Sequence, residues 1–222
     1  MTTDAFESGL LQRRIGKDGK MTGKSYSQFG EDIEIAKQFP EGYVGHVLEI
    51  GSWHPTQLSN SRLFIEAGWS ATLVEFSPKP VHELLKEYGQ RSDIRIIPAA
   101  ITADEQPLLE FLISEDALST NDGESADKWA KVANFYGHML VPTLSVRRLI
   151  DQCFGSSRFN VASVDTEGNS VPIAVAIMET DWRPEVLCVE YDNQLAYLQT
   201  QAQRFGYKTV HTNSTNCILS RI

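Results

Sequence analysis

The chain has 222 residues, 41% of them hydrophobic and 22% charged, with a net charge of −9 and a pI near 5.0. That length suits one α/β domain with a full core, and the acidic balance excludes the basic face on which duplex nucleic-acid binders rely. Cys153, Cys188 and Cys217 are widely spaced and form no CxxC pair, which argues against a zinc site or a disulfide framework. With no signal-peptide core and no apolar run of membrane-spanning length, the expectation is a soluble, cytoplasmic protein without nucleic-acid or membrane partners.

Residues 1–24 are polar, carry the basic cluster Arg13, Arg14, Lys17, Lys20 and Lys24, and read as a flexible N-terminal arm. Residues 25–222 read as a single domain. Its first segment, "SQFGEDIEIAKQF", sets Phe29, Ile33, Ile35 and Phe39 roughly on one helical face and stops at Pro40 and Gly42. "GHVLEIG" is then predicted as a strand and "QLSNSRLFIEAG" as a helix. "SATLVEF" follows as a strand, and "SPKPVHELLKEYG" as a helix with Ser77 as cap and Pro78 in its first turn. "DIRIIPAAI" is a third strand.

Residues 104–145 break the rhythm and read as an insertion near the mouth of the site. Within it "LLEFLI" and "MLVPTLSV" look like strands on either side of a polar excursion. Trp129, Phe135 and Tyr136 would form either a substrate lid or a small satellite core. Beyond the insertion come the strand "RFNVASVD", the helix "NSVPIAVAIMET", the strand "EVLCVEYD" and the helix "NQLAYLQTQAQRFG". "YKTVHT" and "NCILSR" close the chain as a hairpin. Alternating strands and helices predict a mostly parallel sheet covered on both faces, with an antiparallel strand added by the hairpin.

Ligands of open α/β sheets bind beyond the carboxyl ends of the strands, so the residues at those ends carry the functional signal. They are Glu49, Gly51, Ser52 and His54, then Glu75, then Ala100 and Ile101, then Asp165 and Glu167, then Glu190 and Asp192. Gly51 permits a tight turn, and a carboxylate ending the second strand can accept both hydroxyls of an adenosine ribose. That pairing serves NAD and S-adenosylmethionine (SAM) alike. The turn discriminates: a pyrophosphate needs G-x-G-x-x-G, and here Gly51 is followed by Ser52-Trp53-His54-Pro55-Thr56. SAM carries no phosphate and needs an acid near its amino group, which Glu49 would supply.

The segments "YSQFGED", "LEIGSWHPTQLSNS", "FIEAGWSATLVEFSP", "IIPAAIT", "VPTLSVRRLID" and "VASVDTEGNS" occur in the order seen in FkbM-type SAM-dependent methyltransferases, and the chain resembles that family over about residues 25–193. The resemblance implies a Rossmann-like class I methyltransferase fold, a seven-stranded sheet ending in a reversed hairpin. It implies that Glu49 and Gly51 flank the methionine end of SAM, that Glu75 holds the ribose, and that Ala100 and Ile101 lie by the adenine. Ser52, Asn60, Phe76 and Asp165 complete the expected cofactor-binding set. Glu49 stands where an Asp is commoner in the family, and His54 where a small residue often lies.

Asp165, Glu167 and His54 are the expected catalytic residues, with Glu31 as an outside candidate for the base. His54 has the alternative of hydrogen-bonding within its own turn. No metal ligand set is assigned, although the strand-end carboxylates could alternatively hold a hard divalent cation. The resemblance implies a small-molecule or glycan acceptor methylated on a hydroxyl. The alternatives are an inactive scaffold of the same fold and a metal-dependent hydrolase, which lacks the histidines such sites usually add.

Overall fold

A computed structural model describes residues 24–222 apart from 115–118, 122, 124, 125, 128, 129, 132 and 156. The expected N-terminal arm and Trp129 therefore lie outside the described residues. Lys24, at the arm's end, sits over the Tyr26 ring at 4.8 Å.

The elements run α1 (Glu31–Ala36), β1 (His46–Ile50), α2 (Arg62–Glu66), β2 (Ser70–Glu75), α3 (Pro78–Tyr88), β3 (Ile94–Pro98), β4 (Ala100–Thr102), β5 (Leu108–Ser114) and β6 (Phe135–Ser145). After these come α4 (Val146–Cys153), β7 (Val161–Val164), α5 (Ser170–Glu179), β8 (Val186–Glu190), α6 (Leu195–Arg204), β9 (Tyr207–Thr212) and β10 (Asn216–Arg221). Seven strands form one sheet in the order β3-β2-β1-β7-β8-β10-β9. All its pairs are parallel except those of β10 with β8 and β9.

The sheet is covered on both faces, which is why its central strands are continuous apolar runs. Leu48, Ile50, Ala162, Val164, Leu187 and Val189 point to one side and pack with Leu149, Ile173, Ile177 and Leu198 of α4, α5 and α6. Their neighbours Val47, Leu73, Val161 and Cys188 point to the other and meet Ile35, Phe64 and Leu84 of α1, α2 and α3. At the N-terminal end of β1, His46 bridges Ser70 Oγ and Thr72 Oγ1 and meets the Phe154 ring edge-on. Burial, and then the charge of Arg95, hold its pKa down at about 4. Among the described residues no helix is long and apolar enough to cross a membrane.

Four expectations change. The first helix is cut to six residues and buries Ile35, whereas Phe29 is exposed, because Glu31 and Asp32 are drawn into hydrogen-bond networks at its start. The second begins at Arg62 instead of near Gln57, since Ser59, Asn60 and Ser61 are bent around the Glu49 carboxylate. Such local side-chain bonds compete with helix formation. The third strand divides: Pro98 pairs with Glu75 at the sheet edge and has no N–H to extend the ladder, so Ala100–Thr102 leaves for another sheet. Finally, α4 was absent from the expected elements. Ser145 Oγ caps it by accepting from Arg148 N, and Val146, Leu149 and Ile150 are its buried stripe.

Residues 104–145 supply β5 and β6, which join β4 in that second sheet, ordered β4-β6-β5. It packs Phe111, Ile113 and Val141 with Ala100 and leans Phe76 onto Phe111, ring centroids 4.2 Å apart. Phe135 is half-buried and Tyr136 is exposed.

Candidate functional site

The sheet's strand order reverses between β1 and β7, and a cavity of about 370 Å³ opens at the C-terminal ends of the strands there. Such a volume suits a small-molecule site. Gly51, Glu75, Phe76, Ala100 and Ile101 line it, as do Asp165, Glu167 and Glu190. Leu109, Phe111, Ser119 and Asn121 of the insertion form a further wall.

Gly51 has φ +90°, a conformation open to glycine and costly for other residues. A Cβ there would lie 1.7 Å from the Asp165 carbonyl oxygen. The glycine thus lets the turn approach the end of a neighbouring strand closely. Gly51 N and Ser52 N both donate to Val74 O at 3.0 Å, so the turn also holds β2.

Glu49 is 5% exposed and does not line the cavity. Its Oε1 accepts from Asn60 N at 2.7 Å, and its Oε2 from Ser61 Oγ at 2.5 Å and Ser52 Oγ at 3.2 Å. Burial pushes its pKa up, opposed by these donors. The carboxylate is the anchor of the loop after β1, and Ser52 and Asn60 belong to that anchor behind the cavity wall. Asn60 Nδ2 also donates to Ser163 Oγ at 2.9 Å, tying the loop to β7.

Glu75 ends β2, 7% exposed, with Oε1 accepting from Phe76 N at 2.7 Å and Ser77 N at 2.6 Å. Burial raises its pKa against the pull of those amides. The Ser77 hydroxyl, expected to cap α3, makes no capping bond and lies 3.4 Å from Ser119 Oγ.

His54 stands outside the cavity lining. Its Nδ1 accepts from Thr56 N and Gln57 N, both at 3.1 Å, so that nitrogen is engaged by its own turn. Burial lowers its pKa. Glu31 is 1% exposed and equally spent: Oε1 accepts from Asn213 Nδ2 and Asn216 Nδ2, Oε2 from Phe29 N. The Ser27-Gln28-Phe29-Gly30-Glu31-Asp32 motif therefore staples the N-terminal segment to the closing hairpin, which brings Gln28 and Thr215 to the cavity rim.

The far side of the cavity is acidic. Val164 and Val189 are register partners, so Asp165 and Glu190, the residues after and opposite, stand side by side. Burial first, then the charges of Asp165, Glu167 and Asp192, push the Glu190 pKa up to about 11. Glu167, Asp192 and Asn193 all have positive φ without being glycine. Strain of that kind, of order 1–3 kcal/mol each, gathers at functional sites. The Glu167 carbonyl is held by Thr120 Oγ1 at 2.8 Å, and Asn121 Oδ1 accepts from Asn169 Nδ2 at 2.8 Å. Sequence reading missed this contribution of Thr120, Ser119 and Asn121, which sit in a polar stretch without periodicity. A signal for α4 did exist, in the capping Ser145 and the spacing of Val146, Leu149 and Ile150.

This architecture, a seven-stranded mixed sheet closed by an antiparallel hairpin with helices on both faces, is the Rossmann-like fold of class I methyltransferases. A methyltransferase FkbM from Methylobacillus flagellatus KT is similar at 12% identity with a TM-score of 0.50, covering 89% of this chain and 48% of its own, so the chain spans about half of that structure. A proposed methyltransferase of Escherichia coli, yhhF, is 12% identical with a TM-score of 0.48, covering 96% and 98%. A precorrin-6y C5,15-methyltransferase from Geobacter metallireducens GS-15 is 12% identical with a TM-score of 0.43, covering 95% and 100%. No family profile matches the chain, and no curated protein matches it in sequence. At such identities the likeness is one of fold.

Proposed function

We propose that the protein is a SAM-dependent methyltransferase that methylates a hydroxyl of a sugar, glycan or small-molecule acceptor. The observation that carries this reading is the shared cavity of the Gly51 turn and the Glu75 carboxylate, with apolar Phe76, Ala100 and Ile101 between the two sheets. The residues fit the cofactor. Glu75 is oriented through Oε1 by two backbone amides and borders the cavity, as a ribose-diol acceptor would. The Trp53-His54-Pro55 segment after Gly51 offers no glycine-lined cradle for a pyrophosphate.

When bound, SAM supplies an electrophilic methyl group. Phe76, Ala100 and Ile101 then take the flat base, with Phe111 packed against Phe76 on the same side of the cavity. Asp165 and Glu167 orient the acceptor hydroxyl, and one of the two receives its proton. Alignment of this kind is worth roughly 7–11 kcal/mol in well-held pairs.

Calorimetric titration with SAM and S-adenosylhomocysteine tests the reading. Wild type binds both, and Glu75→Ala binds about 100-fold more weakly, since two charge-assisted hydrogen bonds are lost. A folded wild type that binds neither would sink the enzyme and favour a scaffold.

A further inference from the structure

We infer that Thr120 is a positioning residue: its hydroxyl pins the Glu167–Gly168 peptide and so holds the Glu167 carboxylate where an acceptor hydroxyl would lie. Its catalytic meaning rests on the methyl-transfer reading above; the pinning itself does not.

Glu167 needs such a hold. It is not glycine, yet its φ is +44°, a region that side chains avoid unless their surroundings impose it. The peptide that follows it is gripped at both ends. Its carbonyl oxygen accepts from Thr120 Oγ1 at 2.8 Å, and its N–H, on Gly168, donates to Asp192 Oδ2 at 3.1 Å. With that plane fixed, rotation about ψ of Glu167 is blocked beside an already unfavourable φ. The carboxylate is thereby kept among its neighbours, with an oxygen within 4.8 Å of those of Asp165 and Glu190.

The two grips come from different parts of the fold. Asp192 follows β8, whose register partner β7 leads into Glu167. Thr120 comes from residues 104–145 and is firmly mounted there. It is 1% exposed, and its backbone exchanges two hydrogen bonds with Leu112 of β5: Leu112 N to Thr120 O at 2.9 Å, and Thr120 N to Leu112 O at 3.1 Å. Its chain neighbours are tied as well. Ser119 Oγ accepts from Ser114 N at 3.0 Å, and Asn121 Oδ1 accepts from Asn169 Nδ2 at 2.8 Å. Ser119 and Asn121 line the cavity, whereas Thr120 between them does not. Thr120 therefore acts on the site through the Glu167 backbone. The small sheet then does more than wall the cavity: it supplies the hydroxyl that fixes one of the two acids expected to orient the acceptor.

The test labels the full chain with carbonyl-13C glutamate and 15N-glycine. Glu41-Gly42 and Glu167-Gly168 are the two Glu-Gly pairs of the sequence, so two carbonyl resonances are linked to a glycine nitrogen. The Glu41 signal, from the segment before β1, is the internal control. Thr120→Val keeps the shape of the side chain without its hydroxyl, and is expected to move the Glu167 carbonyl upfield, as the loss of a hydrogen bond does. Thr120→Ser keeps the hydroxyl and is expected to leave that signal at its wild-type position. A Glu167 signal that stays in Thr120→Val, or that moves equally in Thr120→Ser, overturns the pinning. Calorimetric titration with S-adenosylhomocysteine then separates positioning from general support of the cavity. Thr120→Val is expected to bind it within about threefold of wild type, because only the acceptor end is released. A greater loss would make Thr120 a support of the whole cavity and overturn its positioning role. Wild type that binds no S-adenosylhomocysteine removes the methyl-transfer reading, and the carbonyl comparison still decides the pinning.

Discussion

Glu49 and Glu190 end two strands of one sheet, are both more than nine-tenths buried, and have opposite surroundings. Around Glu49 the loop after β1 turns inward a backbone amide and three hydroxyls. Around Glu190 stand the carboxylates of Asp165, Glu167 and Asp192. Burial raises the pKa of each, but donors pull one back while like charges push the other to about 11. The contrast separates a carboxylate that anchors a loop from one that lines the cavity among other acids, a distinction invisible to residue type or burial.

The most damaging way to break the comparison is at its joint. Gly51 lies between the two regions, its Cα against the Asp165 carbonyl, so Gly51→Ala must move a strand end. We expect a loss of about 3–5 kcal/mol, read as a fall in Tm of about 10 °C or more. Next, Glu49→Ala strands the Asn60 amide and the Ser61 hydroxyl without an acceptor, at a cost of about 2–4 kcal/mol in urea unfolding. Glu190→Gln, measured beside it, is expected to be close to neutral, because its pKa of about 11 keeps the native carboxyl uncharged near neutral pH and the amide replaces it at the same size. Two losses of equal size would erase the distinction.

The smallest effect lies at the other end of β1. His46 is held at about 4 by burial, below its ordinary 6.5, so the folded state binds fewer protons than the unfolded state between those values. Stability is therefore lost as pH falls from about 6.5 toward 4. His46→Gln, which keeps a partner for Ser70 or Thr72, should flatten that part of the pH–stability curve. An unchanged slope would show that His46 does not carry it.

Much of the fold was legible because apolar periodicity is a local property. "HVLEI", "SATLVE" and "VLCVE" are short apolar runs bounded by turns, and "YKTVHT" and "NCILSR" lie where the hairpin strands lie. The positions of Gly51, Glu75, Phe76, Ala100, Ile101, Asp165 and Glu167 around one cavity followed from the rule that ligands meet strand ends. Apart from α4, whose local capping signal went unread, the reading strayed where a distant partner intervened. Residues 57–61 read as helix until Glu49 claims their donors, and "DIRIIPAAI" reads as one strand until β6 captures its second half.

By itself the sequence determined the alternation of strands and helices and the residues at the strand ends, since those follow from spacing along the chain. Only the tertiary structure decided that Glu31, Glu49 and the Nδ1 of His54 are engaged by structural hydrogen bonds, while Glu190 lines a cavity among other carboxylates. The reason is physical: a carboxylate's role depends on which donors and charges surround it, and those come from segments that only folding brings together.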